Sequence, residues 1–180
     1  MNVSSFALML NYLTACFIII FMQGCKESDH STITETRDHG KTVFFDLNIS
    51  NVALRVEIAA LPEERERGFM FREFIGEDEG MLFVFKEGSA QRFWMKNTRI
   101  PLDIGYISTS GELLEVHKAK PYDLSGVPSR SKDIKFVLEL NAGAYKKLGI
   151  PIGTRIPLDD ISNMLKHRGL NPEEFNLGAP

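Results

Sequence analysis

The distribution of charge along the chain bounds the fold most tightly. In a chain of 180 residues, Met1 to Gly24 contain no charged side chain, and all 21 Lys and Arg and all 24 Asp and Glu follow. Phe6 to Met22 is apolar except for Asn11, Tyr12 and Thr14, a length that suits a secretory signal or a short membrane anchor. The next stretch, Lys26 to Gly40, is rich in Ser, Thr and charge and holds a single Ile. It carries too little apolar area to offset the entropy of ordering, so residues 25–40 are expected to form a flexible tether. His30 and His39 read there as solvated side chains rather than metal ligands. Folding falls to what remains, of which about 115 residues have globular composition, enough for one domain and too few for two.

The segment Met22-Gln23-Gly24-Cys25 resembles a bacterial lipobox, in which the peptidase cuts before the Cys and the thiol carries diacylglycerol. Met22 stands where Leu is usual, Gln23 is larger than the usual second residue, and no Lys or Arg precedes the apolar run. The resemblance implies a signal peptide over 1–24, lipidation of Cys25, and attachment to a membrane on its periplasmic or extracellular side. An uncleaved anchor and an ordinary cleaved signal are the competing readings. The other cysteine, Cys16, lies inside the apolar run. The folded part therefore has no Cys pair for a disulfide, no thiolate cluster and no Cys nucleophile. A formal charge of −3 gives no electrostatic reason to expect a nucleic-acid partner.

Beyond the tether, apolar residues recur with strand periodicity. Val43, Phe45, Leu47 and Ile49 alternate, Ser50-Asn51 turns, and Val52, Leu54, Val56 and Ile58 alternate again, which predicts a hairpin with one buried face. Leu61 to Gly68 predicts a short helix, with Pro62 in its first turn and Gly68 at its stop. Gly80–Phe85 is a continuous apolar strand, followed by an expected turn at Lys86–Ser89. Further strands are expected at Gln91–Met95, Ile100–Ser108, Leu113–Lys118 and Phe136–Leu140, with an irregular stretch from Lys120 to Lys135. A short helix over Ala142–Leu148 precedes an expected edge strand at Gly153–Leu158. Residues 159–180 read as an amphipathic helix, through Ile161, Met164 and Leu165, followed by a loose tail. The expected fold is mainly β with short helices (α+β), a compact barrel-like or strongly curved antiparallel sheet.

Four blocks carry a resemblance. They are Glu64–Arg72, Gly80–Phe85, Phe93–Ile104 and Val137–Gly143, in that order. Together they are similar to the bacterial and archaeal family catalogued as domain of unknown function 192, over roughly residues 41–158. The resemblance implies a compact β-rich domain, often behind an export signal, and no established activity. Phe69 stands where the family usually carries Leu.

The polar residues of these blocks supply the candidate site. Trp94, Lys96, Asn97 and Asp103, with Arg65 and Arg72, bring aromatic, cationic, amide and carboxylate groups close in sequence, a set that can orient a small polar ligand. The competing reading is structural: Asn97-Thr98 as a turn and Asp103 as a partner for Arg65, Arg72 or Arg99. Two other chemistries are open. Met70, Met81 and Met95 with His117 offer soft ligands for Cu(I), although Met is ordinary core filler. Asp103 and His117 offer an acid–base pair for an envelope hydrolase. No Gly-x-Ser-x-Gly elbow, phosphate-binding Gly-rich loop or zinc spacing occurs, so no cofactor is expected. The sequence thus predicts an exported lipoprotein whose domain is a ligand-binding or structural module of the cell envelope.

Overall fold

The computed structural model describes residues 43–178; the expected signal peptide, Cys25 and the tether lie outside the described residues. Eight strands form two sheets. The first hairpin pairs β1 (Phe45–Ile49) with β2 (Val52–Ala59), with Leu47 opposite Leu54. Its turn is tight because Ser50 takes a left-handed conformation (φ 55°). The helix α1 (Pro62–Arg67) follows. Glu64 accepts the Ala60 and Leu61 N–H groups, each at 3.0 Å, which satisfies donors that have no partner in the first turn.

The chain then crosses to β3 (Glu79–Ser89), which lies parallel to β2. The remaining long strands are β5 (Leu102–Ser108), β6 (Leu113–Ala119) and β8 (Ile134–Asn141). They complete a six-stranded sheet in the order β1-β2-β3-β8-β5-β6. A second sheet pairs two short strands, β4 (Arg92–Phe93) and β7 (Val127–Pro128). The fold is mainly β with short helices, as expected. The large sheet is open, with β1 and β6 at its edges, rather than a closed barrel, and it is mixed because residues 60–78 carry the chain back to the starting end of β2, so that β3 pairs with it in parallel.

Three local expectations change. Lys86–Ser89 continues β3 across a register shift between Val84 and Ser89 instead of turning. The Gln91–Met95 strand shrinks to β4. Gly153–Leu158 makes no edge strand; it contributes a single bridge, Arg155 to Glu112, and Leu158 opens a helix.

The large sheet is covered on both faces, which explains why β3, β5 and β8 read as continuous apolar runs instead of alternating. One face carries Leu82, Val84, Ile107, Phe136, Leu138 and Leu140. It is capped by α2 (Ala144–Leu148), α3 (Leu158–His167) and a 3-10 turn at Pro172–Phe175. The other face carries Met81, Phe83, Ile104, Tyr106 and Val137 and is covered by Phe69, Ile75, Met95 and Ile100 from the loops. The expected helix packs through Ile161 and Leu165, and the segment after it is no loose tail, since Phe175 is buried in the same core. Arg168, just past α3, donates to Ile58 O at 2.7 Å and pairs with Glu64 through both guanidinium nitrogens. That pairing, with the two backbone donors, holds the Glu64 carboxyl below its usual range although burial alone would raise it.

Tyr145 of α2 lies against Gly105 of β5 and donates its hydroxyl to Leu138 O at 2.8 Å. A Cβ at Gly105 would stand 2.0 Å from Tyr145 Oη. Gly105→Ala is expected to cost about 1–3 kcal/mol of stability in denaturant melts, the usual range for overpacking. Tyr145→Phe removes the clashing oxygen, so the double variant should cost less than the two single changes combined.

Candidate functional site

A narrow cleft opens on the second face of the sheet. Its rim comes from α1 and the residues after it (Arg65 to Met70) and from the Phe93–Thr98 segment. Phe83, Leu102 and Glu139 line it from the sheet. The cleft has a volume of about 30 Å³, room for roughly two waters or one small functional group.

Local structure explains the rim. Gly68 ends α1 at φ 45°, a conformation that favours glycine, with its N–H bonded to Glu64 O at 2.9 Å. Asn97 is left-handed at φ 53°, and its carbonyl accepts the Phe71 N–H at 2.8 Å. Thr98 N–H closes a turn on Met95 O, and Tyr122 N–H bonds to Thr98 O, each at 3.1 Å. Three loops are thus laced together by their backbones. Asn141 ties in the preceding segment by donating to Gly76 O at 2.8 Å. The same loops expose Phe71, Phe74, Trp94, Tyr122 and Leu124.

Glu139 is the unusual member of the lining. It sits in β8 between Leu138 and Leu140 and is only 4% exposed. The alternation of β8 puts Phe136, Leu138 and Leu140 in the first core and leaves Val137 and Glu139 facing the second. Its carboxyl has no hydrogen-bond partner among the described residues, although it borders the cleft. Burial pushes this carboxyl up to about 8, so it is mainly protonated at neutral pH. Tyr106, which feels Glu139, is also pushed up, first by burial and then by the carboxyls of Glu139 and Glu115. Its hydroxyl donates to Val127 O at 2.5 Å and pins β7.

The other buried acids are spent on structure. Glu115 accepts the Arg130 and Ser131 N–H groups at 2.8–3.0 Å and lies 2.7 Å from His117 Nε2. Burial alone would raise its carboxyl, but these hydrogen bonds hold it low.

The sequence-derived candidates divide. Arg65 and Trp94 both line the cleft, and Lys96 Nζ lies 5.0 Å over the Trp94 ring. Arg65 is largely occupied, since Nη1 donates to Ala60 O and to Val84 O and the guanidinium stacks over Phe85 at 5.0 Å. Burial lowers its pKa from the usual arginine value, against the pull of Glu64 and Glu63. Arg72 is held by a two-pronged pair to Glu57, both contacts at 2.5 Å. Asn97 serves the turn.

Asp103 is not in the cleft. It lies on the opposite face, where Oδ2 accepts the Gly143 N–H at 2.8 Å and Oδ1 is buried without a partner. Its role is to fix the start of α2. Asp103→Ala should cost about 1–3 kcal/mol in a thermal or urea melt.

The acid–base pair does not form. His117 stands opposite Ile104 and Asp103 opposite Lys118, so period-two alternation sends the two side chains to opposite faces. The methionine set also divides, with Met70 and Met95 lining the cleft and Met81 packed in the core outside that lining. Among the described residues no group of three or more His, Cys, Asp or Glu is placed to hold a metal.

A larger open groove, about 320 Å³, runs between β1 and α3 past Phe45, Asp46, Asp160 and His167. Its aromatic groups pack on each other, Phe45 edge-on to His167 at 5.5 Å, and no buried acid faces it.

Glu139 escaped the sequence reading although it was in view. The signal was a lone acid inside Phe136–Leu140, a strand with apolar residues on both faces. In such a strand a charged side chain has no solvent side to turn to.

The chain resembles known structures over about two thirds of its length. A crystal structure of a protein from Sinorhizobium meliloti 1021, named as a candidate transcription regulator, shares 36% identity with TM-score 0.59, covering 66% of this chain and 97% of that one. A protein of unknown function from Novosphingobium aromaticivorans DSM 12444 shares 31% identity with TM-score 0.60, covering 63% of this chain and 84% of the other. No curated protein matches the chain. The family model DUF192, Uncharacterized ACR, matches residues 45–158, a span that holds the cleft and Glu139 and stops where α3 begins. The chain belongs to the DUF192 family.

Proposed function

We propose that this chain is an exported lipoprotein, carried at a membrane surface by lipid on Cys25, whose folded domain binds a small ligand group in the cleft above Glu139. The observation that supports this most is the state of Glu139, buried, without a partner among the described residues, and bordering open space. Burial without a partner penalises the charged form of this carboxyl. A fold bears such a cost most readily where a ligand later supplies the partner. The rim adds an exposed indole, at Trp94, with which a ligand can stack.

Two experiments test the two halves. A thermal-shift screen of metals, Cu(I) included because Met70 and Met95 line the cleft, and of small polar molecules should find compounds that raise the melting temperature. A ligand specific to the native state does so by mass action. A Glu139→Gln variant should lose that response, and a response that survives the change would move binding elsewhere. For the anchor, Cys25→Ser should shift the protein from the membrane to the soluble fraction or leave it unprocessed. Unaltered processing and fractionation would remove lipidation from the reading.

A further inference from the structure

We infer that the cleft receives a primary ammonium group and that Glu139 is the residue that recognises it. The inference rests on the cleft being a binding site and adds the chemistry of what enters.

Three observations point the same way. First, Glu139 lines the cleft and no described residue hydrogen-bonds to its carboxyl, whereas Glu115 and Asp103 both hold backbone N–H groups. Once ionised, the carboxyl only accepts, so the partner that would match it is a hydrogen-bond donor, and a primary ammonium brings three. Second, aromatic rings and thioethers make up much of the wall, Phe83, Phe93 and Trp94 with Met70 and Met95, below a rim that carries Arg65, Glu66 and Arg67. Ring faces attract cations through their quadrupole, Trp most strongly. Trp94 already shows the preference, since the Lys96 ammonium lies 5.0 Å over its ring. Third, the volume of about 30 Å³ admits a small head group such as a primary ammonium and is small for a phosphate. Of the two arginines on the rim, Arg65 is already engaged with Ala60 O and Val84 O, and Arg67 is exposed to solvent.

Charge balance gives the event a signature. In the free protein Glu139 is mainly protonated at pH 7, because burial penalises the charged form. An entering alkylammonium forms an ion pair only with the carboxylate. Glu139 therefore gives its proton to solvent, and the site goes from a neutral carboxylic acid to a carboxylate–ammonium pair. At pH 7 close to one proton is released for each group bound.

Trp94 is the single tryptophan of the chain, so its fluorescence reports the cleft directly. The full chain in detergent is titrated with n-butylammonium chloride at pH 7, and with sodium butyrate and inorganic phosphate in parallel. Calorimetry in two buffers of different ionisation enthalpy counts protons. The expected result is saturable quenching by butylammonium alone, release of close to one proton, and affinity at least tenfold weaker in Glu139→Gln. Butylammonium binding that releases no proton, or that Glu139→Gln leaves intact, overturns the assignment. Saturation by butyrate or phosphate in place of butylammonium overturns it too, while leaving the cleft a binding site. If none of the three probes moves Trp94, the ammonium assignment fails. The screen for stabilising compounds lost in Glu139→Gln then decides separately whether the cleft binds anything.

Discussion

Replacing Glu139 with Gln should make the folded chain markedly more stable than the parent at pH 9 and nearly equal to it at pH 4. In the unfolded chain this carboxyl titrates near 4.5, and in the folded chain burial raises it to about 8. Below the lower value both states are protonated and the acid costs nothing extra. Between the two, the unfolded state loses its proton while the folded state keeps one, so stability falls as pH rises and levels off only above the folded value. At about 1.4 kcal/mol per pH unit the loss amounts to about 5 kcal/mol. Gln has the same shape, fills the same space and does not titrate. Urea melts at pH 4, 7 and 9 should show the parent losing stability across this range and Glu139→Gln staying level. Parallel curves would mean that Glu139 is ionised and matched in the folded state.

Removal of residues 159–178 should abolish cooperative folding. It strips Ile161, Met164, Leu165 and Phe175 from the first core. At about 1.5–3 kcal/mol for each buried side chain, the combined loss rivals the 5–15 kcal/mol that typically separates folded from unfolded domains. It also removes Arg168, leaving Ile58 O and Glu64 without their partner. Circular dichroism of the truncated chain should show no sharp thermal transition. The single change Leu165→Ala, which keeps the helix, should cost about 2–5 kcal/mol. A truncated chain that melts within a few degrees of the parent would show that the family-matched span is a complete fold.

These two cases also show where the sequence was legible. The hairpin of β1 and β2 was plain because one face is polar, with Asp46, Asn48, Arg55 and Glu57 alternating against apolar residues. The continuous runs of β3 and β8 identified strands but not their neighbours, since a strand buried on both faces carries no sign of which residues face which layer. The parallel pairing of β2 and β3 was hidden for the same reason. Residues 159–168 showed helical spacing, whereas Phe175 gave no periodic signal and reaches the core through a 3-10 turn.

The candidate site followed the same pattern. Arg65 and Trp94 both line the cleft, although they lie in separate blocks of the sequence. Asp103 is only nine residues from Trp94 but emerges on the far face, because strand direction outweighs distance along the chain. His117 is separated from Asp103 by the same alternation. Glu139 lies 45 residues beyond Trp94 in the sequence and meets it only through the sheet order β3-β8-β5, which no local pattern encodes.

The most direct test of a protonated, unmatched acid facing the cleft is the titration of Glu139 itself. Carbon-13 NMR of the glutamate side-chain carboxyls, assigned by the signal missing from Glu139→Gln, follows it from pH 3 to 10. The structure predicts a midpoint near 8, well separated from the exposed glutamates, that falls when butylammonium is added. A midpoint near 4.5 in the free protein would contradict it.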